Sequence, residues 1–254
     1  MNVYQISRLG RFGSFGNQLF QYCAGKALAR RDGCALEVPA DWIGRRIFKI
    51  DDPPIGDPLP TLGCDVMPER PGVDLWGYYQ HPDFFRLYSE ADAQTWLCLR
   101  PEWTAILKSI PWQFRAHRRS YRGYQGVFCV VSEESYARAG EIDGIEIEEM
   151  VTDYCPQSRT DIPANIAFLW DFMRLMRSKV LYRGNSTFSW WAAVLGGLRF
   201  VSAPLVGSLT GPQTVPFAEG NWHPMVDIAK NCPDEPGRIS GPYALHGAPG
   251  FVNG

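Results

Sequence analysis

The chain has 254 residues, of which 45% are hydrophobic and 20% charged, with a formal charge of −2. That is the make-up of a soluble globular protein with room for one large or two small domains and a buried core. So small a charge gives no electrostatic case for nucleic acid or an anionic membrane as partner, and no apolar run reaches the length of a membrane span.

Met1-Asn2-Val3-Tyr4 starts like a strand rather than a targeting peptide, so a reducing, cytoplasmic setting is expected. The seven cysteines are scattered without CxxC spacing, which fits reduced thiols better than disulfides or zinc. The four histidines lie far apart, and no metal site is expected.

Val3 to Ile6 predicts a strand that runs into a glycine loop from Gly10 to Gly16. A helix should follow. Leu19, Phe20, Cys23, Ala24, Ala27 and Leu28 share one face, while Gln18, Gln21, Lys26 and Arg30 point elsewhere. Ala35 to Pro39 predicts the next strand, and strand, glycine loop, helix, strand opens a Rossmann-like half. The glycines are spaced GxxGxxG rather than GxGxxG, and no acidic residue stands clearly at the end of the second strand to hold a ribose, Glu37 and Asp41 being poorly placed for it. The loop therefore reads either as a ligand contact or as a tight strand-to-helix turn.

Residues 51–74 are rich in Pro, Gly and Asp and predict a loop that carries specificity. Leu75 to Gln80 predicts a strand edge, and Asp83 to Leu99 a helix that packs through Phe84, Phe85, Tyr88 and Trp96. Pro101 and Pro111 bracket a crossing between two halves.

In the second half, Trp112 to Ala116 predicts a strand ending at His117-Arg118-Arg119. That run offers two readings. Arginine forks match phosphate oxygens and could clamp a diphosphate; alternatively, with Arg115 and Arg122, it is a solvated basic turn. Val127 to Val131 reads as a strand, Ser132 to Ser135 as a helix start and Ile145 to Val151 as another strand, ending at Thr152-Asp153. The carboxylates at 133, 134, 141, 143, 146, 148 and 149 read as solvated faces, whereas Asp153 closes an apolar strand, where α/β folds place ligands. Asp171 reads as a cap or an orienting group. Ala164 to Met176 is the clearest helix of this half, and the chain after Pro204 is irregular and proline-rich.

Asn185 to Ala193 sits between the apolar segments Val180-Leu181-Tyr182 and Arg199-Phe200-Val201-Ser202. It predicts strand, polar turn, short helix, strand. Ser186, Thr187 and Ser189 place hydroxyls where helix-start amides need partners, and such a terminus can seat a phosphate. The plainer reading is a capped helix with two tryptophans in the core.

Several of these stretches agree, in order, with one family. Gly13-Ser14-Phe15-Gly16-Asn17-Gln18-Leu19-Phe20-Gln21-Tyr22 resembles the GGxGNQxFQY opening of the α-1,2-fucosyltransferases of glycosyltransferase family 11. Gly77-Tyr78-Tyr79-Gln80 with Phe84-Phe85 resembles its GY(F/W)Q segment, and Val151-Thr152-Asp153 its strand-end (S/T)D. Asp171 to Met176 is similar to its DFxLM helix and Asn185 to Trp191 to its NSTFSWW signature, so the resemblance spans about residues 3–206.

The resemblance implies an α/β, GT-B-like fold of two Rossmann-like halves facing a cleft. Residues 1–108 would be the acceptor half and 109–254 the donor half, with an irregular tail from about 205. It implies a GDP-fucose donor, a galactose-type glycan acceptor, inversion at the anomeric carbon and no cofactor or metal. By the same resemblance Arg119 would bind the β-phosphate, with Arg118 beside it and His117 shaping the pocket. Asn185, Ser186, Thr187 and Ser189 would contact the diphosphate-sugar, and Asp153 the nucleotide. Gly16, Asn17 and Gln18 would approach the donor from the other half. Trp76, Tyr78 and Tyr79 could stack on acceptor sugars. The family's HxRRGDY stands here as His117-Arg118-Arg119-Ser120-Tyr121, without the Gly-Asp. That loss motivates a second reading, a non-catalytic nucleotide-sugar or glycan-binding protein of the same fold. A dinucleotide oxidoreductase ranks third, because the glycine spacing is wrong for it.

Overall fold

The computed structural model describes residues 2–80, 82–118, 147–152, 159–182, 186–198 and 201–202. The chain divides into two compact units, Met1–Ala105 and Ile106–Gly254. The expected strand at 127–131, the helix start at 132–135 and the tail beyond 204 lie outside the described residues.

The N-terminal unit is built on a parallel three-stranded sheet in the order β2-β1-β3, where β1 is Val3–Gln5, β2 is Ala35–Glu37 and β3 is Val73–Asp74. Helix α1 (Phe15–Arg31) links β1 to β2. Its apolar face is the expected one, and Leu19, Phe20, Cys23, Ala24, Ala27 and Leu28 are all buried. Gln18 and Gln21 are buried as well, against the expectation that they point away from the core. Their amides find carbonyl partners in the loop before the helix, which is what makes their burial affordable in hydrogen-bonding terms. Arg30 and Arg31 in the last turn complement the helix dipole.

The segment 51–74 is pinned by side chains. Gln5 donates to Glu37 and to the Asp57 carbonyl and accepts from Leu59 N, while Glu37 also accepts from Gly56 N. Glu37 therefore tethers a loop and is not placed for a ribose; Asp41 pairs with Arg11 in solvent.

Two expectations shift here. The strand lies at Val73–Asp74, earlier than the expected 75–80, because Gly77 (φ 152°) and Tyr79 (φ 54°) turn the backbone out of the extended region. The expected helix at 83–99 is two helices, α3 (Pro82–Phe85) and α4 (Glu90–Trp96). Ser89 is extended and forms a capping box with Asp92, each side chain bonding the other's backbone N–H, so a new helix starts there. The segment after Pro101 is helical too: after α2 (Gly44–Ile47), α3 and α4, α5 spans Pro101–Ser109 with proline in its first turn.

In the C-terminal unit the sheet is parallel, in the order β5-β4-β6-β7. Its strands are β4 (Gln113–Arg118), β5 (Glu149–Thr152), β6 (Ser178–Tyr182) and β7 (Val201–Ser202). Helix α6 (Phe168–Met176), preceded by a 3-10 turn at Ala164–Ile166, and helix α7 (Thr187–Gly196) complete the described elements. Phe172, Phe188, Trp190 and Trp191 are buried, with Phe172 and Phe188 edge to face at 5.0 Å and the two tryptophans at 4.8 Å. Each such ring contributes about 1.5–3 kcal/mol by leaving water.

Under α6 lies a charge cluster that reverses two expectations. Arg115, expected in an exposed basic turn, is 1% exposed, and Glu149, expected on a solvated face, pairs with both Arg115 and Arg174. Arg115 and Glu149 are opposite each other across β4 and β5. Arg115 further donates to the carbonyls of Arg177 and Pro111 and to Gln113 Oε1. Asp171 accepts from Arg174 Nη1 at 2.8 Å, one turn along the same helix, so this bond orients an arginine of its own helix rather than a neighbouring loop.

Candidate functional site

In an open parallel sheet, ligands bind beyond the carboxyl ends of the strands, where successive connections leave in opposite directions. Among the described strands each unit has one such point. In the N-terminal unit β1 feeds α1 toward β2 on one side, while β3 lies on the other. The segments that follow β1 and β3 are the glycine loop and residues 75–80, two stretches singled out by the sequence. Asp74, at the end of β3, clamps the start of the loop after β1 by accepting from Ser7 N at 2.8 Å and Ser7 Oγ at 2.7 Å. Asp74 is buried, and its role was invisible in sequence because it depends on a pairing between distant strands.

The two segments meet through named contacts. Gln80 Nε2 donates to Asn17 Oδ1 at 3.0 Å. Phe12 stacks on Tyr78 with centroids 4.5 Å apart and meets Trp76 edge-on at 6.2 Å, and Arg8 lies 4.7 Å over Trp76. Gly13 has φ 78°, and a Cβ there would stand 2.9 Å from both Tyr78 Cε1 and Asn17 Cβ, so the position needs glycine twice over. The loop is then held from below. Gln18 Nε2 donates to Gly13 O at 3.0 Å, Gln21 Nε2 donates to Phe12 O at 2.9 Å, and Gln18 Oε1 accepts from Trp42 Nε1 at 2.9 Å. With both ends of its amide engaged and its side chain buried, Gln18 shapes the loop and is not set to contact a donor. Gly16 is buried in the first turn of α1; Asn17 is half-buried.

Of the three expected acceptor aromatics, Tyr78 is 37% exposed and Trp76 half-buried, but Tyr79 is fully buried, edge-on to Phe84 at 4.7 Å. Tyr79 therefore offers no face to a sugar. Burial pushes its phenol far above the usual range, with the Asp65 carboxylate adding to the effect, so it stays neutral. Beside Tyr78 opens a cavity of about 470 Å³ lined by Asp65, Met67, Tyr78, Gln80, Asp83 and Phe84.

In the C-terminal unit β4 is flanked by β5 and β6, and the chain goes from β4 to β5, then to β6 on the other side and on to β7. The switch point lies between the ends of β4 and β6. His117-Arg118 ends β4, and Ser186, the N-cap of α7, stands four positions after Tyr182, the last residue of β6. His117 is fully buried, with its ring 5.9 Å from Phe188 of α7, so the solvated-turn reading fails for it. Ser186 is the N-cap, its hydroxyl accepting from Phe188 N at 3.2 Å, and Ser189 Oγ donates to Ser186 O at 3.3 Å. Both serines are buried and build the turn, as the plainer reading of this stretch expects, while Thr187 is partly exposed. The helix start itself carries the positive end of the α7 dipole to the carboxyl end of the sheet. Arg118 ends β4, and Arg119, Asp153 and Asn185 lie outside the described residues. Among the described residues no helix is long and apolar enough to cross a membrane.

Among solved structures the chain is similar to NodZ, an α-1,6-fucosyltransferase. The form soaked with GDP-fucose matches with a TM-score of 0.45 and 12% identity over 76% of this chain and 92% of that one. The form co-crystallised with GDP gives 0.47 and 13% over 76% and 92%. The fucosyltransferase NodZ from Bradyrhizobium gives 0.46 and 13% over 76% and 93%. No family model matches the chain, and no curated protein does.

Proposed function

We propose that the protein is an inverting glycosyltransferase that moves fucose from GDP-fucose to a glycan hydroxyl, with the α-1,2 linkage and a galactoside acceptor as the specific reading. In this reading the fold is GT-B-like, with residues 1–108 as acceptor half and 109–254 as donor half. The observation that carries it is the position of the Asn185–Trp191 signature. Its described part, Ser186–Trp191, caps and begins a helix at the switch point of a parallel sheet, beside the end of β4, where His117-Arg118 stands. Departure of GDP leaves charge on the diphosphate, and guanidinium and helix-start dipole stabilise such charge without requiring a metal. Arg119, Asn185 and Thr187 would meet the diphosphate-sugar, and Asp153 the nucleotide. Buried His117, Ser186 and Ser189 would hold that wall in place. The absent Gly-Asp after Arg119 favours one alternative, a binding protein of the same fold that does not turn over.

Isothermal titration with GDP-fucose, GDP-mannose and GDP, paired with a transfer assay, separates these. Preferential binding of GDP-fucose with transfer is the expected result, and Arg119→Ala should lower kcat/KM by about 10²-fold or more. Binding without transfer or donor hydrolysis would establish the alternative. Transfer unchanged by Arg119→Ala would overturn the donor-site assignment.

A further inference from the structure

At the amino ends of β4 and β6, the far end of the sheet from His117 and the start of α7, the C-terminal unit gathers rings and cations. Among the described residues of that unit Trp112, just before β4, is the one large apolar side chain left exposed, at 42%. Arg177, just before β6, lies 4.1 Å over the Trp112 ring and donates through Nε to Ile110 O at 3.1 Å. Lys179 Nζ stands 5.2 Å over the Phe114 ring. The strand register shifts here. Gln113 faces Ser178 and Phe114 faces Val180, so Lys179 is the extra residue of a bulge, a feature that re-aims side chains. Upstream in the same unit, Lys108 is exposed in the last turn of α5, Ile106 and Leu107 are half-buried, and Pro111 is exposed.

No carboxylate among the described residues pairs with Lys108, Arg177 or Lys179. Glu148 is exposed on the other flank of β4, where its carboxylate accepts from Phe114 N at 2.7 Å. Burial and the like charge of Arg115 hold the Arg177 pKa below its usual value, so an outside anion relieves a repulsion that the fold leaves in place. Arg177 and Lys179 stand over separate rings, which suits an array of anions better than one small ion. An indole joins an apolar body to a polar edge, and tryptophan with lysine and arginine is the set that settles at the headgroup level of a bilayer. The net charge of −2 is a sum over the whole chain and does not describe this surface.

We propose that this surface holds the protein reversibly on a membrane rich in anionic phospholipid, with Trp112 at the headgroup level and Lys108, Arg177 and Lys179 against the lipid phosphates. Docked this way, the carboxyl end of the sheet faces away from the bilayer. The surface stands apart from the donor and acceptor assignments and does not depend on them. The test sediments the full chain with vesicles of equimolar phosphatidylglycerol and phosphatidylcholine, and with vesicles of phosphatidylcholine alone. Binding is expected to the first only, and it should fall away in about 1 M salt, where the screening length is about 3 Å. Lys179→Gln should weaken it about fivefold, and Lys108→Gln together with Lys179→Gln about 25-fold. Trp112→Ala should weaken it and remove most of the quenching of tryptophan fluorescence by brominated lipid, since the other described tryptophans are buried or half-buried. Lys49→Gln, at an exposed lysine of the other unit, should change nothing. Circular dichroism matching that of the parent protein shows that each variant is folded. Sedimentation with neither vesicle, equal sedimentation with both, or indifference to Trp112→Ala and Lys179→Gln would overturn the proposal. So would displacement by inorganic phosphate beyond that by chloride of equal ionic strength, the mark of a free-anion site. Tighter binding of poly-glutamate than of the vesicles would make the partner an acidic protein and overturn it too.

Discussion

Glu149 opens β5 with its carboxylate between two guanidiniums that the fold has taken out of water, Arg115 from the sheet and Arg174 from α6. Burial by itself raises the pKa of such a carboxyl, but the hydrogen bonds from Arg174 and Arg115 outweigh it and hold the group below its ordinary value of 4.5. The sign of the pH dependence follows. A carboxyl with a depressed folded pKa contributes stability that is complete above the unfolded value and is lost as pH falls through the folded one. Removing one partner of a buried pair costs about 3–5 kcal/mol. The Glu149 side chain is 26% exposed, so Glu149→Gln should cost less, about 2–3 kcal/mol. Urea unfolding at pH 7 should show a lower midpoint for the variant, and the gap should close as pH falls below 4.5. Equal midpoints at pH 7, or a gap that widens in acid, would remove Glu149 from this role.

At the scale of elements, the N-terminal unit turns on the joint between the glycine loop and α1. The loop's shape is set by its own glycines and by two glutamine side chains of the helix that follows it. Gly13→Ala puts a methyl group at φ 78° where Tyr78 and Asn17 already stand. It should destabilise the unit by about 1–2 kcal/mol. It should also speed amide exchange in the loop while leaving the helical circular dichroism nearly unchanged. Exchange in the loop identical to that of the parent protein would mean that neither the contact nor the conformation matters. A capping box does similar organising work farther on. The pattern Ser89-Glu90-Ala91-Asp92 was readable as a helix start, and it explains why the helix expected at 83–99 is interrupted.

Over the whole molecule, the proposed ligands should leave separate footprints. In hydrogen exchange, GDP is expected to protect 113–117 and 186–190 of the C-terminal unit, and methyl β-galactoside 76–80 of the N-terminal one. Protection by GDP confined to the start of α1 would move the nucleotide to the glycine loop and sink the donor assignment. What the sequence made legible was local: β1 and α1, the strand before Asn185 and the capped helix after it all follow from periodicity and helix-start chemistry over a few residues. Arg115 and Glu149 were misread because their burial depends on Arg174 and on a pairing between β4 and β5 that no local pattern announces. Gln18, Gln21 and Tyr79 were misread for the related reason that polar side chains go inside when distant backbone or rings receive them. Asp74 was missed altogether, since its partner Ser7 stands on a strand-end loop from the other side of the chain's first crossover.

Arg115 has a further consequence while the protein is being made. β4 leaves the ribosome before either of its neighbours, and Glu149 on β5, the first of them, follows Arg115 by 34 residues, a delay of about 2–7 seconds at roughly 5–20 residues per second. During that wait β4 is an unpaired strand edge, the kind of surface on which nascent chains associate wrongly. A cation at its centre keeps it hydrated and sets identical strands from neighbouring chains against each other. The charge that the finished fold must neutralise with Glu149 is thus the one that guards the unfinished chain.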